Sequence, residues 1–186
     1  MILHIKNMVC NRCKMVVKAE LEQLGFNPVS VKLGEVILSE NIFPADKAKI
    51  AERLNRFGFE LLEDKKTQLV EQVKTSIINL IHYAEEPLKI NLSAHLSVQL
   101  NIEYHQLSAV FSEAENQTIE KYFIAQKVEK AKEMLTYGEL TLSEIAFQLN
   151  YSSVAHLSAQ FKKVTGLTPS AYKAETSNKR KTLDEI

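Results

Sequence analysis

Long apolar runs are missing from this sequence. None approaches the roughly 20 residues that a bilayer span needs, and the N-terminal MILHIK lacks the charged-then-apolar layout of a signal segment. The expectation is a soluble, unexported chain with a cytoplasmic location. An excess of either charge sign is missing too: among 186 residues, 23 Lys and Arg balance 23 Asp and Glu. No global field therefore draws the chain to nucleic acid or to a membrane, and any DNA binding must come from local placement of charge. Cysteine is nearly absent. Cys10 and Cys13 are too few and too close for a secreted disulfide framework, which favours a reducing compartment and a metal or redox use. Catalytic frames are also lacking. No nucleophile elbow, phosphate loop, His-Glu-X-X-His or carboxylate pair stands in frame, and His4, His82, His95 and His156 have no ligand partner at metal-site spacing. The chain is therefore not read as an enzyme, and no cofactor is required.

What is present falls into two textures. Residues 1–64 alternate short apolar runs with helical patterns (ILHI, CKMVVKAELEQL, VSVKL, EVILS, DKAKIAERLNRF, FELLE), the order βαββαβ. Val29, Val31 and Leu33 are expected on one face of a strand and Val36 and Leu38 on one face of the next, with a tight turn at Gly34-Glu35. Val17, Leu21 and Leu24 mark the inner stripe of the first helix, and Ile50, Leu54 and Phe57 that of the second. Such a split βαβ arrangement predicts a ferredoxin-like domain, both helices on one face of a four-stranded antiparallel sheet. From Lys65 onward the strand signals stop and nearly every segment reads as helix. The fold class is thus α+β: a ferredoxin-like domain over 1–64, an all-α bipartite helix-turn-helix domain over 65–175, and a polar tail over 176–186, read as disordered, whose Lys179-Arg180-Lys181 run is a solvated charge cluster. Ser93, Asn116, Thr141 and Thr168 stand where helices would be N-capped, Pro169 at a first helical position, and Gly138 and Gly166 where helices would end.

The helical half repeats itself. HLSVQLNIEYHQLSAVF, residues 95–111, aligns with EIAFQLNYSSVAHLSAQF, residues 144–161, with one extra residue in the turn of the second copy. Two short helices joined by a tight turn and closed by apolar residues are the helix-turn-helix layout, whose second helix enters the major groove. A long intervening helix over about 117–136 would hold both second helices on the same side, at successive groove segments roughly 34 Å apart.

The segment IAFQLNYSSVAHLSAQFKKVTGLTPSAYK resembles the second helix-turn-helix of the AraC family, through Ile145-Ala146, Asn150-Tyr151, Phe161-Lys162, Gly166, Thr168-Pro169 and Tyr172. The resemblance covers about residues 67–174 and implies a bacterial, sequence-specific DNA-binding transcription regulator with double-stranded promoter DNA as partner and RNA polymerase as a further candidate. By position, the base-reading residues it implies are His105, Gln106, Ser108 and Ala109 in the first copy and Val154, Ala155, Ser158 and Ala159 in the second, with Ser152 and Ser153 at the turn and Lys162 and Lys163 beyond. Many relatives carry Arg where this chain has Ala109 and Ala159. No Arg occurs between Lys65 and Tyr172, so direct reading of G·C pairs is expected to be weak and the site to lean toward A·T, where Val and Ala can meet thymine methyl groups. Phosphate attachment would fall to Lys121, Lys127, Lys162, Lys163 and Lys173 and to helix N-termini.

Met8-Val9-Cys10-Asn11-Arg12-Cys13 lies between the first strand and the first helix. Free amides at a helix start, with Arg12, Lys14 and Lys18 nearby, lower thiolate pKa values and favour metal ligation or redox reactivity. Two soft thiolates without a near His or carboxylate suit Cu(I) first, and Zn(II) only if another molecule adds ligands. On its βαββαβ frame the loop resembles the heavy-metal-associated domains of copper chaperones and metal-transporting ATPases, over about residues 1–64, with Gly58-Phe59 matching the approach to their last strand. It departs from them in Asn7-Met8-Val9, where Gly-Met-Thr is frequent, so a loss of glycine freedom beside the site is expected. Two other classes stay open at this level: a metallochaperone with a helical appendage, and an interaction module whose helical half does not bind DNA.

Overall fold

A computed structural model describes residues 1–84 and 90–174; the expected tail from residue 176, with its basic run, lies outside them. The chain forms two compact units, Met1–Thr75 and Ser76–Ile186. The division falls inside a helix, about ten residues beyond the point where strand signals stop.

The first unit runs β1 (Ile2–Lys6), α1 (Asn11–Gln23), β2 (Pro28–Lys32), β3 (Glu35–Leu38), α2 (Pro44–Asn55), β4 (Glu60–Leu62) and the first part of α3 (Lys65–Ile78). Its four strands lie in the order β2-β3-β1-β4, all neighbours antiparallel, with Leu3 opposite Val36 and Ile5 opposite Leu61. Alternation does the sorting: Leu3, Ile5, Val36 and Leu38 are buried, as are Val17 and Leu21 of α1 and Ile50 and Leu54 of α2. Glu20 of α1 and Arg53 of α2 form an ion pair between the two helices, and Arg53 also donates to Gln23 at 2.6 Å.

Three local expectations need correction. Val29 is 68% exposed because the β2–β3 register slips between Pro28 and Ser30, leaving Val29 as the extra residue of a bulge on an edge strand. Phe57 is exposed because α2 stops at Asn55, and Phe59 is buried in its place, two residues on. The hairpin turn sits on Leu33-Gly34 rather than Gly34-Glu35. Gly34 has φ +73, and a Cβ there would meet Thr75 Cγ2 of α3 at 2.9 Å, so both conformation and space demand glycine.

Only Glu63-Asp64 separates the last strand from α3. Asp64 accepts from the Thr67 amide at 2.9 Å and so caps the helix. The first turns of α3 are tied to the sheet: the Asn7 amide donates to Glu71 Oε1 at 3.2 Å, and Gln68 donates to the Leu62 carbonyl at 2.9 Å.

In the second unit α3 ends in a π-type turn, Asn79–Tyr83, followed by α4 (Leu92–Leu100), α5 (Tyr104–Glu115), α6 (Ile119–Tyr137), α7 (Leu142–Gln148), α8 (Val154–Thr165) and α9 (Pro169–Ala174). The long α6 is buried on several sides, with Tyr122, Val128, Ala131 and Leu135 joined by polar Gln126, Glu129 and Lys132. These polar groups are satisfied: Gln126 bonds the Tyr122 hydroxyl (3.1 Å) and His82 Nε2 (3.0 Å), and Lys132 pairs with Glu129 at 2.5 Å. None of the described helices is long and apolar enough to cross a membrane.

Candidate nucleic-acid interface

The two helix pairs share most of their closing devices, except that Glu103, at the start of α5, makes no side-chain cap bond. In the first, Asn91 caps α4 by accepting from the Ala94 amide at 2.8 Å, α4 leaves through left-handed Asn101 (φ 54), and α5 ends at left-handed Asn116 (φ 52). In the second, Thr141 and Glu144 form a reciprocal capping box on α7, the chain turns through left-handed Asn150 (φ 54), Ser153 caps α8 by accepting from the His156 amide at 3.1 Å, and Gly166 (φ 81) ends it. Two expected caps therefore shift. Ser93 lies inside α4 and donates to the true cap, Asn91, while Asn116 closes α5 and Thr118, accepting from Lys121, opens α6.

Beyond the turn the copies superpose at an offset of 50 residues, farther than the aligned segments suggested. Leu107 and Phe111 are buried in α5 as Leu157 and Phe161 are in α8. Tyr122 meets Phe111 edge-on at 5.6 Å between centroids, and Tyr172 meets Phe161 at 5.5 Å. Thr118 and Thr168 each accept from an amide three residues on. The unit that recurs is thus three helices, α4-α5-start of α6 and α7-α8-α9. The signal was legible in Asn-Gln-Thr-X3-Tyr and Gly-Leu-Thr-X3-Tyr.

The buried stripe defines what is left outside. On α5 His105, Gln106 and Ala109 are exposed and Ser108 half-buried; on α8 Ala155, Ala159, Lys162 and Lys163 are exposed and Val154 and Ser158 half-buried. Ser152 and Ser153 are exposed, but their hydroxyls are already engaged, Ser152 with His156 Nδ1 at 3.1 Å and Ser153 as the cap. His156 occupies the place of Gln106 fifty residues earlier. It is exposed, with its ring edge-on to Tyr151 at 5.3 Å. The same offset sets Ser112 against Lys162 and Glu113 against Lys163, so the outer end of α8 is basic and that of α5 acidic. Lys121 and Lys173 are exposed. Lys127 is not available to a phosphate: it is buried, its Nζ 3.7 Å from the Tyr151 ring centroid, and burial holds its pKa down to about 8.

The thiol pair lies in the first unit. Cys10 is the N-cap of α1 and accepts from the Cys13 amide at 3.4 Å; the two sulfurs are 3.1 Å apart and both residues are half-buried. Burial opposes ionisation at each. At Cys10 it is outweighed by hydrogen bonds from the Cys13 side chain, from the Cys13 and Arg12 amides, and by the Arg12 charge, so its pKa falls below the ordinary thiol value. At Cys13 burial and the bond given to Cys10 push the pKa up. Asn7 takes a left-handed conformation (φ 70) and donates to the Gly58 carbonyl at 2.9 Å, so the backbone freedom expected to be lost without glycine is kept by an Asn. Among the described residues no group of three or more His, Cys, Asp and Glu is placed to hold a metal ion.

Residues 96–175, within the second unit, match the helix-turn-helix domain family. Over 174 residues the chain is 22% identical to the probable transcriptional regulator LumQ of Photobacterium leiognathi, covering 89% of this chain and 70% of LumQ. The C-terminal domain of AraT, a response regulator from Geobacillus stearothermophilus, has the same fold as the helical part: TM-score 0.50, 24% identity, 59% of this chain and 87% of that one. The C-terminal domain of the two-component response regulator yesN from Fusobacterium nucleatum is 30% identical over 55% of this chain and 98% of its own, with a TM-score of 0.47.

Proposed function

We propose that this protein is a DNA-binding transcription regulator of the AraC type, acting at promoters alongside RNA polymerase and reading the double helix with α5 and α8. The observation that carries the reading is the recurrence of a helix-turn-helix unit, its second helices 50 residues apart and each leaving one face free. The domain-family match over residues 96–175 and the fold shared with the AraT domain support it.

On this reading His105, Gln106, Ala109, Ala155, His156 and Ala159 meet base edges, with Ser108, Val154 and Ser158 at their flank. Lys162 and Lys163 bind phosphates, and Ser152 and Ser153 shape the start of α8, whose free amides face the backbone. α5 carries no Lys or Arg, so α8 supplies most of the affinity. Without Arg on either helix the preferred site leans toward A·T.

Residues 1–64 are read as a ferredoxin-like, heavy-metal-associated-like domain with Cys10 and Cys13 as its sensor. The sheet order β2-β3-β1-β4 and the helix placement support the split βαβ assignment. Two adjacent sulfurs without a third ligand among the described residues fit a soft ion such as Cu(I) better than tetrahedral Zn(II). When bound, such an ion adds charge at the head of α1, held by the two thiolates. Asn7, in the same loop, is bonded to Glu71 of α3, and five residues along that helix Ser76 donates to Gln99 of α4.

Selection from a random pool of duplexes tests the reading. The expected product is an A·T-leaning motif in two segments about one helical turn apart; absence of salt-dependent binding to every duplex contradicts it. On the selected duplex, Cu(I)-loaded or oxidised protein should differ from the reduced form by about 5- to 150-fold in affinity, and the Cys10→Ser, Cys13→Ser double variant should not respond. Equal affinity in all states removes the sensor and leaves the DNA reading standing.

A further inference from the structure

Lys127 lies midway along α6 and is 8% exposed. Its neighbours on the helix have counter-ions: Lys130 pairs with Glu133 at 3.0 Å and Lys132 with Glu129 at 2.5 Å. Lys127 has none among the described residues. Its ammonium makes one long hydrogen bond, to the Asn150 carbonyl at 3.4 Å, and stands over the rings of Tyr151 and Phe123, 3.7 and 5.4 Å from their centroids. Aromatic faces attract a cation but do not neutralise it, and a buried charge lacking a counter-charge is costly.

The same lysine lines a cavity of about 720 Å³ in the second unit, a size common for small-molecule sites, which run from about 300 to 1,000 Å³. Its walls are mainly apolar: Leu80, Phe123, Met134, Leu140, Phe147 and Leu149. Several polar groups at the edge have partners of their own. His82 Nε2 is bonded to Gln126, and the Glu144 carboxylate is held by the Thr141 amide and hydroxyl, both at 2.7 Å.

We propose that this cavity is a binding site for a small organic acid, whose carboxylate meets the Lys127 ammonium and whose aromatic or aliphatic body lies against the apolar wall. The ligand supplies the counter-charge that Lys127 lacks among the described residues, with apolar side chains beside the pair. Shape selects for a ring or short chain; charge selects the acid over its neutral analogues. The site adjoins the turn that opens α8, since Asn150 and Tyr151 both touch Lys127. Binding itself is independent of the DNA-reading proposal.

The test is calorimetric titration of the full chain, without DNA, with 2-naphthoate and octanoate and with their uncharged counterparts 2-naphthamide and octanamide. At least one acid is expected to bind, at least tenfold more tightly than its amide. Lys127→Met, which keeps the apolar stem, should bring that acid down to its amide's level. Phe147→Ala should weaken acid and amide alike; this side chain is 73% exposed, so the fold does not depend on it. The proposal is overturned if neither acid binds, if acids bind no better than amides, or if Lys127→Met leaves acid affinity unchanged. Should Lys127→Met fail to fold, the contrast between acid and amide on the native chain, together with the loss in Phe147→Ala, decides the matter in the same way.

Discussion

Lys127 and Lys162 share a chemistry and have opposite surroundings, one enclosed beside Tyr151 and the other in solvent on the outer turn of α8. Sequence alone could not separate them, because each occurs in a mixed polar stretch and only packing tells which face of a helix is covered. The buried one has a consequence for pH. Its folded pKa, near 8, lies below the 10.5 of an unburied lysine, so between these values the unfolded chain binds more protons and stability rises with pH. Below pH 8 the full cost of the buried charge is present. Lys127→Met is accordingly expected to stabilise the protein at pH 7, by on the order of 1 kcal/mol after the lost ring contacts are set against the relieved charge, and the gain should fade between pH 8 and 10.5. Urea unfolding at pH 7 and pH 10 checks it; a destabilised variant at pH 7, or a gain that grows with pH, contradicts it. Asparagine was the more readable signal. Every non-glycine residue of positive φ among the described residues is an Asn, at 7, 101, 116 and 150. Two of these mark the matching turns of the two helix pairs.

Helices in this chain are delimited by side chains more than by propensity. Thr141-Leu-Ser-Glu144 is a capping box readable from sequence and is present as such. Ser93 and Asn116 were misplaced because a Ser or Asn near a helix boundary can cap, donate to the cap or exit the helix, and the choice depends on backbone conformation rather than residue type. In the sheet, alternation located Val36 and Leu38 correctly but could not foresee the bulge that turns Val29 outward. The equivalence of Asn116 and Gly166 as exits of α5 and α8 leads to a prediction. A Cβ at Gly166 would meet nothing within 4 Å, so only its left-handed conformation (φ +81) resists a side chain. Gly166→Ala should cost about 1 kcal/mol, whereas Gly166→Asn, the residue used in the first copy, should cost less. Thermal melting of both variants decides; an alanine tolerated as well as asparagine would show the exits to be unlike.

At the scale of the whole molecule, the two textures of the sequence correspond to an antiparallel sheet with helices and to an all-helical unit, and the order βαββαβ was readable from apolar periodicity because most strands alternate cleanly. The exact division between compact units was not, since a single helix supplies residues to both. Balanced net charge hid the local asymmetry of the candidate interface: only once the copies are set 50 residues apart do Lys162 and Lys163 stand against Ser112 and Glu113, and His156 against Gln106. On the proposed reading, that asymmetry makes α8 the principal attachment to DNA. The most direct test is the salt dependence of binding to one selected duplex, since each phosphate neutralised adds about 0.9 to the slope of log K against log salt. For Lys162→Ala, Lys163→Ala the account predicts weaker binding on all sequences and a slope reduced in magnitude by about 1 to 2. A double variant that keeps the native slope and affinity would contradict it.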